Sequence, residues 1–434
     1  MPSPLEHIDW FRHTSPYIRN HRGRTFVIHL GSGALDSPVF PHLIHDLALL
    51  HLLGIKLVLV HATRGEIEAA LDTLEIEGVL HRGVRVTTEE VLGVVRDVVA
   101  AQRLQLESQL SAGLPDSPMH GSKLRVVSGN FVTARPLGVV DGVDFQFTGA
   151  VRRLDAVGMS GVLDNDGILL LSPLGFSLTG EVFNISANEL ATAAAITLGA
   201  DKLIIMDKAS GLLDDTGKLI RQLTVDDAHR LAISDSAQAE HRDAACRACD
   251  QGVHRAHIIS YEQNGALIEE LFTHDGGGTL ISQEAYEQAR RATVEDIAGV
   301  LDLIRPLEDE GILVRRSRER LEQEIDNFRV LERDGRVIAC AALYPFGDSS
   351  MAEIACVATH EDYRRGGRGQ HLLELLLEEA KEDGLLSLFV LTTQSAHWFL
   401  EQGFSEVSLD RLPTERQALY NLQRNSKVLI RQIN

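Results

Sequence analysis

Short, almost unbroken apolar runs set the tightest limit on how this chain can fold. Residues 25–30 (TFVIHL) and 55–60 (IKLVLV) are strands in which successive side chains on opposite faces are both apolar. A strand with one wet face alternates apolar and polar residues, so runs like these must be covered on both sides. Similar runs recur at 124–128, 167–171, 202–206 and 256–259, with helical stretches between them such as 41–53, which Gly54 closes. Strands buried on both faces and separated by helices make a parallel sheet sandwiched between helix layers, an α/β fold. The first run ends in a glycine turn, Gly31-Ser32-Gly33.

The pattern changes near residue 282. Residues 282–291 (SQEAYEQARR) are polar and predict a helical linker, with a first domain over 1–283, the linker over 284–291 and a second domain over 292–434. Thr293 caps a helix with Asp296 at its third position, running to Ile304. Ser317 caps another helix, to about residue 327. Strands at 328–332 and 336–344 flank Asp334-Gly335, a hairpin signal. A strand at 351–358, a helix at 369–383, a strand at 385–392, a short helix and a last strand at 427–431 complete a smaller α+β domain.

Bulk properties exclude several classes. With 434 residues, 44% hydrophobic and 24% charged, the chain is globular and long enough for two domains. No apolar run approaches the ~18 residues of a membrane span, and the first ten residues lack a basic-then-apolar leader. Four cysteines make no disulfide framework, so a cytoplasmic location is expected. Cys246 and Cys249 form a CxxC in a helical stretch without two further ligands, and no metal is expected. A net charge of −20 argues against nucleic acid. An anionic ligand is still allowed, because screening beyond ~8 Å leaves the decision to local arginines.

Such a cluster exists. Arg364-Arg365-Gly366-Gly367-Arg368-Gly369 lies between a strand and an amphipathic helix. Glycines let backbone approach a ligand, and amides at a helix N-terminus bind pyrophosphate. The spacing Arg364-x-x-Gly367-x-Gly369 resembles the signature of the GNAT acetyltransferase family, and residues 398–404 (WFLEQGF) resemble its later Phe-Tyr-x-x-x-Gly-Phe signature. The resemblance implies acetyl-CoA as co-substrate, with no permanently bound cofactor, held by Arg364, Gly366, Gly367, Arg368 and Gly369 and by the backbone of Cys356 and Val357 on a splayed strand. The family's tyrosine acid falls on Phe399. A thiol of pKa ~8.5 leaves readily as thiolate, and the acid stays unassigned.

Acyl transfer to an ammonium needs a base, and Glu353 is the acid within the strand at 351–358. An acceptor with two carboxylates needs two cationic forks. Arg315 and Arg316 precede one helix and Arg424 precedes the last strand. The stretches GVRVT (83–87), VVSGNF (126–131), RRATVEDI (290–297), ILVRRSRE (312–319), EIACVA (353–358) and RNSKVL (424–429) resemble the fused bacterial N-acetylglutamate synthase family. That family joins an amino-acid-kinase-like parallel-sheet sandwich to a GNAT domain. The resemblance implies acetyl transfer to the α-amino group of L-glutamate, the first step of arginine biosynthesis. It implies Glu353 as base and Arg316, Thr392, Arg424 and Ser426 as glutamate ligands. It also implies a homo-oligomer, a hexamer, with the helix around residues 10–21 in assembly.

The first domain raises two rivals: a kinase acting on glutamate or N-acetylglutamate, and a non-enzymatic amino-acid sensor. Phosphoryl transfer depends on cations that neutralise developing charge. Amino-acid kinases place a lysine two residues before the glycine loop, where His29 stands, and an acidic organiser where Asn188 stands. Both losses predict an inactive domain. Residues 266–279 (ALIEELFTHDGGGT) form a helix and a glycine turn, with Glu269, Glu270 and Asp275 as acids. By resemblance to arginine-sensitive members of the amino-acid-kinase family, Tyr17, Lys202, His257, Glu270, Gly276 and Gly278 bind L-arginine as a feedback inhibitor.

Overall fold

The computed structural model describes residues 4–112, 124–214, 216–273, 276–283, 287–333, 336–347, 350–364, 367–421 and 424–433. The chain divides into two compact units, Met1–Ala285 and Tyr286–Asn434.

The first unit is built on an eight-stranded sheet. Its order is Gln222–Thr224, Thr279–Ser282, Arg255–Ser260, Lys202–Asp207, Thr25–Leu30, Lys56–His61, Ile168–Leu171 and Val126–Val127. The neighbours are parallel except Arg255–Ser260 against Thr279–Ser282. Double burial of the central strands is real: Val27, Val58, Leu169 and Leu203 pack into one core, and Phe26, Ile28, Leu57 and Ile204 into the other. A second sheet of four short strands, Val182–Asn184, Leu174–Phe176, Val132–Pro136 and Gly149–Leu154, was not foreseen, because its strands are brief and half exposed. Cys246 and Cys249 lie on the Ser236–Asp250 helix in the apolar core, and burial pushes their thiols up to about 11 and about 12. They pack as small apolar side chains.

The second unit holds a seven-stranded sheet in the order Gln288–Arg291, Phe328–Arg333, Arg336–Phe346, Met351–Thr359, Ser387–Thr392, Lys427–Gln432 and Ser405–Val407. The helical linker expected over 284–291 is corrected: residues 288–291 form the sheet's first strand, with Arg290 opposite Val330. The strand lies at the sheet's edge, where charged side chains are favoured, and so resembles a solvated helix in sequence. Arg290 hydrogen-bonds both Asp296 and Glu332, which ties the strand to the rest of the second unit. The Thr293–Asp296 capping box forms, and Arg290's hydrogen bonds pull the Asp296 carboxyl down to about 2. The helix after it, Ile297–Asp309, runs five residues further than expected, from 304 to 309. The Ser317 hydroxyl caps Arg318–Glu324 by accepting from the Arg320 amide at 3.2 Å. The Asp334-Gly335 turn lies outside the described residues, and its flanking strands pair as a hairpin would. Among the described residues, no helix is long and apolar enough to cross a membrane.

Two buried histidines lie near the ends of neighbouring strands of the first sheet, His29 one residue before the end of Thr25–Leu30 and His61 at the end of Lys56–His61. Burial lowers His29 to about 3, helped by nearby His241, and lowers His61 to about 4. Unfolded, each titrates near 6.5. The unfolded chain therefore takes up these protons first as pH falls, and stability present above about pH 6.5 drains away toward pH 4. Each histidine costs roughly 2 kcal/mol between pH 6.5 and pH 5, at ~1.36 kcal/mol per pH unit. Urea unfolding of the first unit should show this drop, and His29→Asn should recover about half of the two-histidine share. A pH-independent midpoint over that range would contradict the buried neutral imidazoles.

Candidate active site

The site in the second unit originates in one irregular strand. Met351–Thr359 pairs with Arg336–Phe346 at Ala342↔Ala355 and again at Cys340↔Ala358, so Cys356 and Val357 together oppose Ala341. Cys356 absorbs this bulge with φ of 52°, a left-handed conformation rare for a side-chain-bearing residue. Two consequences follow. The facing of the strand reverses: Ala352 and Ile354 pack toward the Arg368–Glu382 helix, whereas Cys356 and Ala358 pack toward the Ile297–Asp309 helix. On its other edge the strand pairs in parallel with Ser387–Thr392 only from Met351↔Ser387 to Ile354↔Val390. Beyond Ile354 no strand ladder continues on that edge among the described residues, and the sheet opens into a wedge. Backbone groups around Cys356 and Val357 line its lip. The Cys356 side chain is buried, and burial pushes the thiol up to about 11, so this residue contributes through its backbone.

A helix N-terminus lies next along the chain. Gly367, at φ 72°, caps the helix that begins at Arg368. A side chain at Gly369 would put its Cβ 3.4 Å from the Trp398 ring. Gly366 lies outside the described residues. Arg368 differs from the expected loose cation. Its guanidinium is 11% exposed, donates to Glu287 at 2.5–2.9 Å and lies 5.1 Å over the Tyr363 ring. The backbone amide of Arg368 stays with the helix N-terminus, and Arg364 is exposed. Phe399 is core, packed against Trp398 and Phe404.

The acceptor side joins residues distant in sequence. Glu353 stands directly opposite Tyr344 across the antiparallel ladder. Both Glu353 oxygens accept from Arg416, Nε to Oε2 at 2.6 Å and Nη2 to Oε1 at 2.9 Å. The Tyr344 hydroxyl donates to Glu324 at 2.8 Å, and Arg320 holds the other Glu324 oxygen. Arg316 has one Nη1 contact, to the Val314 carbonyl at 3.1 Å, while its Nε is buried with no acceptor among the described residues. A buried donor without a partner is costly, and a carboxylate would satisfy it. Arg315 instead faces solvent and pairs with Asp309. Arg424 donates to the carbonyls of Gly311 and Ile312 at 3.0 and 2.6 Å, clamping the loop that carries Arg316. Thr392 pairs with Lys427, which sets it beside Ser426. Its hydroxyl accepts from the Ser395 amide at 2.9 Å and retains its own proton to donate. Arg416, Tyr344, Glu324 and Glu287 escaped the sequence reading. Arg416 sits on a five-residue helix, Thr414–Ala418, too short for any periodic signal.

In the first unit the kinase-type loop is filled from within. Glu66 accepts from the Gly33 amide at 2.7 Å and the Ser32 hydroxyl at 2.6 Å, and the Gly65 amide donates to Ser32 Oγ at 2.7 Å. A fixed carboxylate occupies the donors that a phosphoryl group would need, beside a buried neutral His29. The residues expected to bind arginine gather around the Ala266–Phe272 helix. Glu270 Oε2 accepts from the amides of Gly277 and Gly278 at 2.8 and 2.9 Å, and His257 Nδ1 lies 2.6 Å from Oε1. Burial raises the Glu270 carboxyl, but His257 and the two amides outweigh it and hold it below the usual range. Gly276 takes φ of 61° and its carbonyl accepts from Arg221. Lys202 is buried, 5.8 Å over Phe26, whose ring also meets His21. His21 lies 2.8 Å from the Leu271 carbonyl and carries the turn of helix that presents Tyr17. Asp275 lies outside the described residues, and Glu269 pairs with Gln263 instead.

A sheet split into a wedge, a glycine-capped helix N-terminus and an acceptor side of carboxylate and arginines define an acetyl-CoA-dependent N-acyltransferase, carried on a chain whose other unit is a kinase-type sandwich. Residues 24–260 match the amino acid kinase family and residues 297–404 the acetyltransferase (GNAT) family. Amino-acid acetyltransferases of Pseudomonas syringae pv. syringae and Pseudomonas putida are 53% and 52% identical over 425 residues, covering 98% of each chain. N-acetylglutamate synthase of Neisseria gonorrhoeae complexed with coenzyme A and L-arginine superposes with a TM-score of 0.87 at 36% identity, covering 100% of both chains. The same enzyme complexed with coenzyme A and N-acetyl-glutamate gives 0.64 at 36% identity, over 98% of this chain and 99% of that one. The chain belongs to the amino-acid acetyltransferase family.

The contrast between two adjacent arginines is testable. Arg316→Ala should raise the acceptor KM by about 30-fold or more, the cost of leaving a buried charge partner unpaired. Arg315→Ala should leave it within two- to threefold, as roughly expected of an exposed pair. Equal effects of the two substitutions would show that the acceptor pocket lies elsewhere.

Proposed function

We propose that this protein transfers the acetyl group of acetyl-CoA to the α-amino group of L-glutamate, giving N-acetyl-L-glutamate at the first step of arginine biosynthesis, and that L-arginine inhibits it. The observation that carries the reading is Arg316, a half-buried arginine whose buried Nε has no acceptor among the described residues and which interacts electrostatically with Cys356 at the bulge and with Tyr344, the residue opposite Glu353. The name of the 36%-identical Neisseria gonorrhoeae enzyme, N-acetylglutamate synthase, supports this substrate, and the relatives at about half identity, named amino-acid acetyltransferases, support the reaction class.

Acetyl-CoA lays its pyrophosphate on Arg364 and the amides from Gly366 and Gly367 through Arg368 to Gly369. Its pantetheine arm enters the wedge against the backbone of Cys356 and Val357. Arg316, Arg424, Ser426 and the Thr392 hydroxyl hold glutamate. Glu353 accepts a proton from the ammonium, directly or through one water, and nitrogen attacks the thioester carbon. Backbone N–H groups at the bulge face the developing oxyanion, the arrangement that contributes most to acyl transfer. The carbon–sulfur bond then breaks, CoA leaves as thiolate, with ordinary thiol pKa near ~8.5, and the nitrogen's second proton passes to that thiolate or to water.

Arginine is read as binding to Tyr17, Lys202, His257, Glu270, Gly276 and Gly278 in the first unit. We further infer a homo-oligomer, a hexamer, built through the Pro4–His21 helix, on which Ile8 and Phe11 are exposed. A cytoplasmic location is supported by four cysteines held as buried free thiols. The kinase reading is disfavoured by Glu66 in the glycine loop, His29 and Asn188.

Purified protein with acetyl-CoA should release free thiol on adding L-glutamate and should not consume ATP. L-Arginine should suppress the release, and Glu270→Ala should abolish that suppression with the uninhibited kcat within a few-fold. Amino-acid-dependent ATP consumption without thiol release would sink the reading. Full arginine inhibition of Glu270→Ala would move the arginine site.

A further inference from the structure

Glu353, the group read above as the base, is already engaged. Arg416 presents its fork to both carboxylate oxygens, and the two side chains are 13% and 20% exposed. A bidentate pair of this kind is the strongest that a carboxylate makes with a side chain. The same in-plane lone pairs would have to receive the acceptor's ammonium proton. Arg416 is held lightly elsewhere: among the described residues its other side-chain hydrogen bond is Nη1 to the Leu419 carbonyl, at 3.4 Å. The helix that carries it, Thr414–Ala418, buries no residue of its own.

Charge balance then selects what can separate the pair. A shielded ion pair parted without new partners leaves two uncompensated charges, which is strongly unfavourable. A bare amine offers Glu353 a cation but leaves Arg416 without an anion. An α-amino acid carries ammonium and carboxylate on one carbon, so it supplies both partners at once. We propose that the Arg416–Glu353 ion pair is a placeholder for the α-ammonium and α-carboxylate of the acceptor, so that Arg416 restricts the enzyme to α-amino acids and hands Glu353 to the amine.

This rests on the reading of Glu353 as the proton acceptor. When the acceptor inserts, its α-carboxylate takes the Arg416 fork and its ammonium faces Glu353. One N–H bond breaks as the proton passes to the carboxylate. The freed nitrogen pair forms the bond to the thioester carbon, the carbon–sulfur pair leaves with CoA as thiolate, and the nitrogen's second proton passes to that thiolate or to water, leaving the neutral amide. Arg316, whose buried Nε has no acceptor among the described residues, is then left for the side-chain carboxylate. Two determinants act separately: Arg416 reads the amino-acid head and Arg316 reads the acidic tail.

The test compares L-glutamate with 4-aminobutyrate, which is glutamate without its α-carboxylate. The unmodified protein should favour glutamate by about 10³-fold or more in kcat/KM. Arg416→Ala should lower kcat/KM for glutamate by at least ~10²-fold, chiefly through KM, and leave 4-aminobutyrate unchanged or better, so the preference collapses to within ~10-fold. Arg416→Lys, which keeps the charge and loses the fork, should restore part of the preference. Glu353→Gln should lower kcat for both acceptors alike by ~10²-fold. Acetyl-CoA titration of each variant reports that the second unit is folded. The proposal is overturned if the unmodified protein uses both acceptors equally, if Arg416→Ala keeps the original preference, or if it lowers both acceptors in parallel, as a purely structural role would. Failure of the broader reading looks different: the unmodified protein then releases no thiol with glutamate.

Discussion

The second unit depends on one inserted residue in one strand. Placing Cys356 at positive φ makes Met351–Thr359 a residue too long for its antiparallel neighbour. The strand answers by turning its later side chains to the opposite core and by parting from Ser387–Thr392 after Ile354. Main-chain donors and acceptors that a regular sheet would consume are left at the lip of a wedge. Backbone polar groups in that position need partners, and an amide-bearing arm such as pantetheine supplies them in the geometry of an added strand. Glu353 lies before the bulge, opposite Tyr344 and paired with Arg416, so the same irregularity separates the opened strand edge from the Glu353–Arg416 pair.

Around this frame, carboxylates of the protein recur at donor-rich places. Glu353 fills the Arg416 fork, Glu66 the glycine loop after the first strand, and Glu270 the amides of Gly277 and Gly278. Buried or half-buried donors are expensive unless satisfied, and glycine turns and guanidinium forks concentrate donors by design. The three cases differ in consequence. Glu66 is anchored by two loops at once, through Gly33 and Ser32 on one side and its own helix start on the other, which closes a site a kinase would use. Arg416 sits on a short helix with little buried surface, where exchange of partners costs little structure.

Much of this architecture is legible from residue pattern, because double burial leaves no polar residue to disguise a strand. The central strands at 25–30, 55–60 and 202–206, the Thr293–Asp296 box and the Ser317 cap all rest on local rules that the packed structure does not override. Errors arise where a local rule has two solutions. The polar stretch 288–291 reads equally as solvated helix and as edge strand, and only pairing with Phe328–Arg333 decides. Arg368 reads as a free cation because its partner, Glu287, lies in the segment taken for a linker. Arg416 leaves no signal, since ion pairing across 63 residues has no periodicity. Nor does anything in EIACVA announce a left-handed cysteine.

Acetyl-CoA is proposed to enter at the opened strand edge beyond Ile354, and hydrogen exchange measures that edge directly. Amides in 355–359 and at the helix start 367–370 should exchange at least ~10-fold more slowly with saturating acetyl-CoA, with no comparable change from L-glutamate alone. Protection elsewhere in the second unit, with exchange in both segments unaltered at saturation, would contradict the account.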